Sequence, residues 1–182
     1  MTMDEIIDFV AGLDGVLTLK PGPGDGSPEL SWGDAFFYYS PDGTVPANAQ
    51  PFATIVTKDH PGDDASRLDR PDAFRVNISA GKEAFTQWTG HAPRERAGAH
   101  ESTGAHESTG AHESTGAHES TGTGADPGTA DTVIAHPVYG TLGWLAVVNP
   151  GPRTEAAVRE LLDAAYRLAR ARHERRAGVA GS

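Results

Sequence analysis

Residues 99–122 are four identical copies of Ala-His-Glu-Ser-Thr-Gly, and no apolar side chain in them is larger than alanine. Such a stretch cannot offset the conformational entropy of its own ordering. Any core must therefore come from the flanking sequence. Residues 1–97 and 129–176 are expected to form one domain, with 98–128 a low-complexity disordered insert inside it and 177–182 a flexible tail. Removing 98–128 from the 182 residues leaves 151, enough chain for a single core.

Four histidines at a fixed interval raise the question of a metal, because imidazole and carboxylate suit zinc or nickel. Six residues advance a helix by about 600°, so successive histidines point about 240° apart. In a strand they share a face but lie ~20 Å apart. Neither form brings consecutive histidines to one ion, and no metal or other cofactor is expected. A hexapeptide solenoid fails too, since its turns need an aliphatic side chain per unit. The repeat reads as a passenger in a loop that tolerates expansion, and a loop that free is a poor place for a site.

The flanks carry periodic signals. Thr2 and Glu5 form a capping box ahead of Ile6, Ile7, Phe9, Val10 and Leu13, which predicts a helix over 3–14 with Gly15 as its stop. Leu30-Ser31-Trp32 and Ala35–Tyr39, either side of Gly33-Asp34, read as a hairpin. Phe52–Thr57 reads as a third strand. Phe74–Ile78 alternates apolar and polar as a half-buried strand does. Lys82–Thr89 is a short helix with Phe85 and Trp88 on one side. Thr132–Ile134 and Leu142–Val148 are strands. A long helix opens near Pro152–Thr154, with Val158, Leu161, Leu162, Ala165, Tyr166 and Leu168 as its buried stripe. Strands joined by short turns pair antiparallel, and amphipathic helices must cover them. The fold class is α+β: a two-layer sandwich of a mainly antiparallel sheet with N-terminal, short middle and long C-terminal helices.

Composition narrows function mostly by exclusion. There is no cysteine, which removes disulfides, thiolate metal sites and Cys nucleophiles. No signal peptide and no membrane span is evident, so a cytoplasmic location is expected. The net charge is −10, unevenly spread: Arg153–Arg176 holds seven Arg against four acids, while the rest holds eight basic and 21 acidic residues. An acidic body repels a phosphate backbone, which argues against nucleic acid as a partner.

Gly22, Gly24 and Gly26 match no phosphate-loop spacing. There is no Gly-x-Ser-x-Gly, and each His-Glu pair of the repeat lacks the second histidine of a zinc protease motif. His60 lies among Asp59, Asp63 and Asp64. His136, followed by Pro137 and Tyr139 and shortly by Trp144, stands before the most apolar segment of the chain and is placed to line a pocket. The candidate pocket residues are Lys58, Asn77, His136, Tyr139 and Trp144, with 132–149 the first region to inspect.

Several phrases resemble a known family: Met3–Val10; Trp32-Gly33-Asp34 with Phe36, Phe37, Tyr38 and Tyr39; Pro51–Asp59; Leu68–Pro71 with Phe74–Ile78; and Ala135–Tyr139 leading into Gly143–Gly151. Together they resemble an uncharacterised family of actinobacterial proteins classed only as a domain of unknown function. The likeness covers nearly everything except the insert and carries no activity or site residue. More distantly, the last strand and helix resemble YjbR-type proteins, a likeness that implies a compact α+β fold.

The expectation is a non-catalytic cytoplasmic module that binds a small molecule or a protein partner, with catalysis left open. An alternative is a hydrolase-type enzyme using His136 with Asp59 or His60. A weaker alternative is nucleic-acid binding through the Arg-rich final helix.

Overall fold

The computed structural model describes residues 1–46, 49–93 and 125–180. The repeat lies outside the described residues.

Helix α1, Met3–Ala11, opens as its capping box requires: the Glu5 N–H donates to Thr2 Oγ1, and the Thr2 N–H donates to the Glu5 carboxylate. It is shorter than predicted. Gly12 closes it, and Gly15 does other work. With φ near +70°, Gly15 turns the chain into β1, and a Cβ there would meet the Tyr39 ring at 3.0 Å. Strand β1, Val16–Leu19, was not anticipated; it offers only four residues between that turn and Pro21.

The remaining elements are β2 (Ala35–Tyr39), β3 (Ala53–Val56), β4 (Arg75–Ile78), α2 (Gly81–Thr89), β5 (Val133–Ala135), β6 (Leu145–Val148) and α3 (Glu155–Ala180). The six strands form one sheet in the order β1-β2-β3-β4-β6-β5, and every neighbouring pair is antiparallel. The expected α+β class is what the chain adopts. Among the described residues no helix is long and apolar enough to cross a membrane.

Two local expectations are corrected. Leu30-Ser31-Trp32 does not pair with β2: after Pro28 the chain makes a 3-10 turn over Glu29–Ser31, and the Trp32 indole N–H bonds back to Ser27 O. Leu168 was assigned to the buried stripe of α3 but is exposed; on α2, Phe85 is buried and Trp88 exposed. Of the stretch 98–128, residues 125–128 are described. Asp126 accepts two hydrogen bonds from Arg67, and the Gly128 carbonyl accepts one from Arg70. Beyond the boundary drawn at 176, α3 continues to Ala180.

Alternation sorts the sheet into two faces. Ala35, Phe37, Ala53, Ile55, Val76, Ile78, Leu145 and Val147 form one buried surface with Ile6, Ile7 and Val10 of α1, Phe85 of α2, and Val158, Leu161, Leu162 and Ala165 of α3. All three helices pack on that side. The register Phe36↔Thr54↔Asn77↔Ala146 marks the opposite face, which also carries Val56, Arg75 and Val148. Every residue of β3, β4 and β6 is nevertheless buried. The second face must be covered by connections between strands.

One carboxylate fixes where α3 begins. Asp131 accepts from the backbone N–H groups of Gly151, Arg153 and Thr154 and from the Thr154 hydroxyl. These donors lie at the helix N-terminus, where negative charge is favoured. Burial pushes the Asp131 carboxyl up, but the Thr154 and backbone hydrogen bonds outweigh it and hold it far below the usual carboxylate range. A group so depressed stabilises the fold above its unfolded pKa, and that contribution disappears as pH falls through the folded value. Asp131→Asn should therefore lower the melting temperature at neutral pH, with the gap to wild type narrowing below about pH 4. Thermal scans of both proteins across that range are the check.

Candidate functional site

On the face away from the helices, Arg75 is 1 % exposed, so its charge must be answered within the protein. Nη1 donates to Asp63 Oδ1 at 2.9 Å and Nη2 to Asp63 Oδ2 at 2.5 Å. Nη1 also donates to Ser66 Oγ at 2.8 Å, and Nε to Asn77 Oδ1 at 2.7 Å. A guanidinium has donors and no acceptor, so the last bond fixes the Asn77 amide with its oxygen inward. Its nitrogen then donates to Thr54 Oγ1 at 3.0 Å. Having accepted, the Thr54 hydroxyl is left to donate elsewhere.

Asp63 is delivered by a tight turn. His60-Pro61-Gly62-Asp63 has Pro second and Gly third, with φ near +78° at Gly62, the arrangement of a type II turn. The Asp63 N–H donates to His60 O at 2.8 Å. His60 and Asp63 therefore project from the two ends of one turn. Burial pushes the Asp63 carboxyl up, but the hydrogen bonds and charge of Arg75 prevail and hold it below the ordinary value.

His136 follows β5 directly and is 3 % exposed. Pro137 supplies no N–H, and the next two backbone N–H groups, of Val138 and Tyr139, both donate to His136 Nδ1 at 3.1 Å. The imidazole thus caps the turn that follows it, as an Asn or Asp often does. On the other side of the ring, Nε2 faces Arg75, whose guanidinium can only donate. Arg75 Nη2 lies 3.2 Å from that Nε2 and Asp63 Oδ2 lies 3.8 Å from it. Burial first, and the Arg75 charge second, push the His136 pKa down to about 3, against the pull of Asp63. At neutral pH His136 is a fixed, uncharged ring with donors against both of its nitrogens.

A second histidine is set differently. Asp34 is buried; its Oδ1 accepts from the Thr57 N–H and hydroxyl, and its Oδ2 lies 3.1 Å from His60 Nε2. When neutral, His60 therefore keeps its proton on Nε2 toward Asp34. Its Nδ1 carries a lone pair with no partner among the described residues.

These groups surround a cavity of about 550 Å³. Gln50, Thr54, His60, Asp63, Asn77 and His136 are the polar side chains of its lining. Pro51, Pro61 and Gly62 also line it, Phe36, Val56 and Trp144 form apolar walls, and Leu30, Val138, Tyr139 and Leu142 complete the lining. Those last four are 41–49 % exposed. The Tyr139 ring stacks at a tilt 4.9 Å from His136 and stands 6.5 Å from Trp144.

Four of the five residues singled out in the sequence, Asn77, His136, Tyr139 and Trp144, line this one cavity. Lys58 does not. Its Nζ donates to the carbonyls of Trp32 at 2.7 Å and Glu29 at 3.4 Å, tying down the turn that displaced the expected hairpin. The grouping of His136 with Asp59 is not formed: Asp59 Oδ1 accepts the Leu68 N–H at 2.8 Å and braces its own loop. His60 lines the cavity but bonds to Asp34.

Sequence reasoning missed Arg75, Asp34 and Thr54, and it named Asp63 only as a neighbour of His60, not as the partner of Arg75. The Pro-Gly turn between His60 and Asp63 was the available signal. No group of three or more His, Asp or Glu among the described residues is arranged to hold a metal ion. On α3, Arg159, Arg167 and Arg170 each pair with an acid four residues away, which leaves less positive charge for a polyanion than the sequence implies.

Two outcomes follow from this geometry. Below pH 6.5 the unfolded chain takes up a proton that folded His136 refuses. Stability should then fall by up to about 1.4 kcal/mol per pH unit toward about pH 3. His136→Asn, whose side chain can still cap the turn, should flatten that slope in urea titrations run between about pH 7 and pH 4. Asp63→Ala strands the buried Arg75 charge and should cost about 3 kcal/mol in urea denaturation at neutral pH.

The sequence matches, over residues 1–178, a family described as a family of unknown function (DUF6194). No curated protein and no solved structure matches the chain.

Proposed function

The chain belongs to DUF6194, a family of unknown function, and from that premise we propose that it is a non-catalytic module that binds a small molecule in the cavity beneath Tyr139 and Trp144. The carrying observation is the cavity's exposed rim. Seven large hydrophobic side chains are exposed among the described residues, and four of them, Leu30, Val138, Tyr139 and Leu142, gather at this one opening. Apolar side chains clustered round a concave, partly polar pocket are what a ligand would cover.

The hydrolase alternative loses its central residue. Both ring nitrogens of His136 are met by donors of the protein itself, so neither is free to take a proton from a substrate, and its depressed pKa keeps it neutral. A general base must accept a proton from the reacting group. A protein partner seated on the same rim is the second reading, and it rests on the same exposed residues. Both readings place the protein in the cytoplasm. The likenesses to actinobacterial and YjbR-type proteins bear on ancestry and fold, not on the ligand.

The test uses Trp144 as a reporter. Wild type and Trp144→Phe are screened against a metabolite panel by thermal shift, followed by fluorescence titration of the hits. The expected result is a saturable change in tryptophan emission that raises the wild-type melting temperature and is lost or much reduced in Trp144→Phe. If no metabolite stabilises the wild-type protein, the small-molecule reading fails, and co-purification of a protein with wild type but not with Leu142→Asp would favour the second.

A further inference from the structure

We propose that the cavity recognises the polar end of its ligand as an uncharged amide- or lactam-type group, one carbonyl-type acceptor beside one N–H or O–H donor. This rests on the reading of the cavity as a ligand site and adds the chemistry of what enters.

The argument follows the direction of each hydrogen bond. Arg75 can only donate, so Asn77 presents its amide nitrogen outward and Thr54 Oγ1 accepts from it. The Thr54 hydroxyl proton and the second Asn77 N–H then have no acceptor among the described residues. His136 adds none, because two backbone N–H groups face its Nδ1 and Arg75 faces its Nε2. Asn77 and Thr54 are 4 % and 8 % exposed, and buried donors left without partners are costly. Two donors lining one pocket call for an acceptor from the ligand. His60 Nδ1 is the complementary group, a lone pair held outward because Asp34 takes the other nitrogen.

Charge closes the choice. Asp63 directs both its oxygens to Arg75, so that pair is neutral and offers no free carboxylate to a cation. The Asp34 carboxylate behind His60 opposes an anion. An uncharged group with adjacent acceptor and donor satisfies all of these constraints, and the apolar walls suit a hydrophobic body attached to it.

Four probes that share one ring separate the possibilities: benzamide, acetophenone, benzoate and benzylamine. Each is titrated into the full-length protein while the imidazole nitrogen resonances of His60 and His136 are followed by NMR, assigned with His60→Gln and His136→Asn. Benzamide should bind saturably and shift both histidines. Acetophenone, which accepts but cannot donate, should bind about fivefold more weakly, the worth of one hydrogen bond. Benzoate and benzylamine should bind more weakly still. His60→Ala should erase the benzamide–acetophenone difference, and Thr54→Val, which keeps the side chain's shape, should weaken both. Tighter binding of benzoate or benzylamine at these histidines would overturn the amide assignment and leave the cavity reading intact. If none of the four perturbs His60 or His136, the assignment also falls, and the metabolite screen judges the cavity separately.

Discussion

A guanidinium buried in a sheet has only donors to offer, and much of the loop-covered face of this protein is arranged around that fact. Arg75 needs acceptors in several directions, and Asp63, Ser66 and Asn77 provide them. The long connection between β3 and β4 folds back over the sheet to bring Asp63 and Ser66 to the guanidinium. Burial of an ion pair is weak evidence for stability, because desolvation offsets much of the attraction. What the pair contributes here is orientation. Each side chain downstream of Arg75 has its donor and acceptor ends decided by the one before it.

The helices have no part in that network. They cover the other face, where Val76 and Ile78 of the same strand meet α1, α2 and α3 through aliphatic and aromatic contacts. The opposite face keeps a small apolar cluster of Val56, Leu68, Ala73 and Val148 beside the polar groups. Core formation is concentrated on one side of the sheet and the buried polar network on the other.

The strength of local signals explains what the sequence did and did not disclose. The capping box of α1, the stripe of α3 and the apolar run of β6 are short-range patterns, and each was legible. So were His136, Tyr139 and Trp144 as residues of interest, because aromatic and polar groups crowd before β6, and Asn77 as a polar residue of the alternating β4. Alternation in Arg75–Ile78 was also visible, but it implies only that two side chains face away from the core. It does not distinguish water from a covering loop, so Arg75 passed as a surface residue. The partnerships of Asp63 and Asp34 were invisible for a related reason. The two carboxylates meet Arg75 and His60 across 12 and 26 residues of chain, and contacts at that separation leave no periodic trace. The expected hairpin at Trp32 failed because Pro28 and Lys58 favour a turn where aromatic content suggested a strand.

The four residues of β4 carry two independent instructions. Val76 and Ile78 speak to the helices, and Arg75 and Asn77 to the loops, with no position shared. Substitutions on one set need not trade against the other, so the polar side can be rewritten by descent or by design while the scaffold inherits its packing unchanged. A sheet clothed by helices on both faces has no such freedom, because every alternate residue is already committed to holding the chain together.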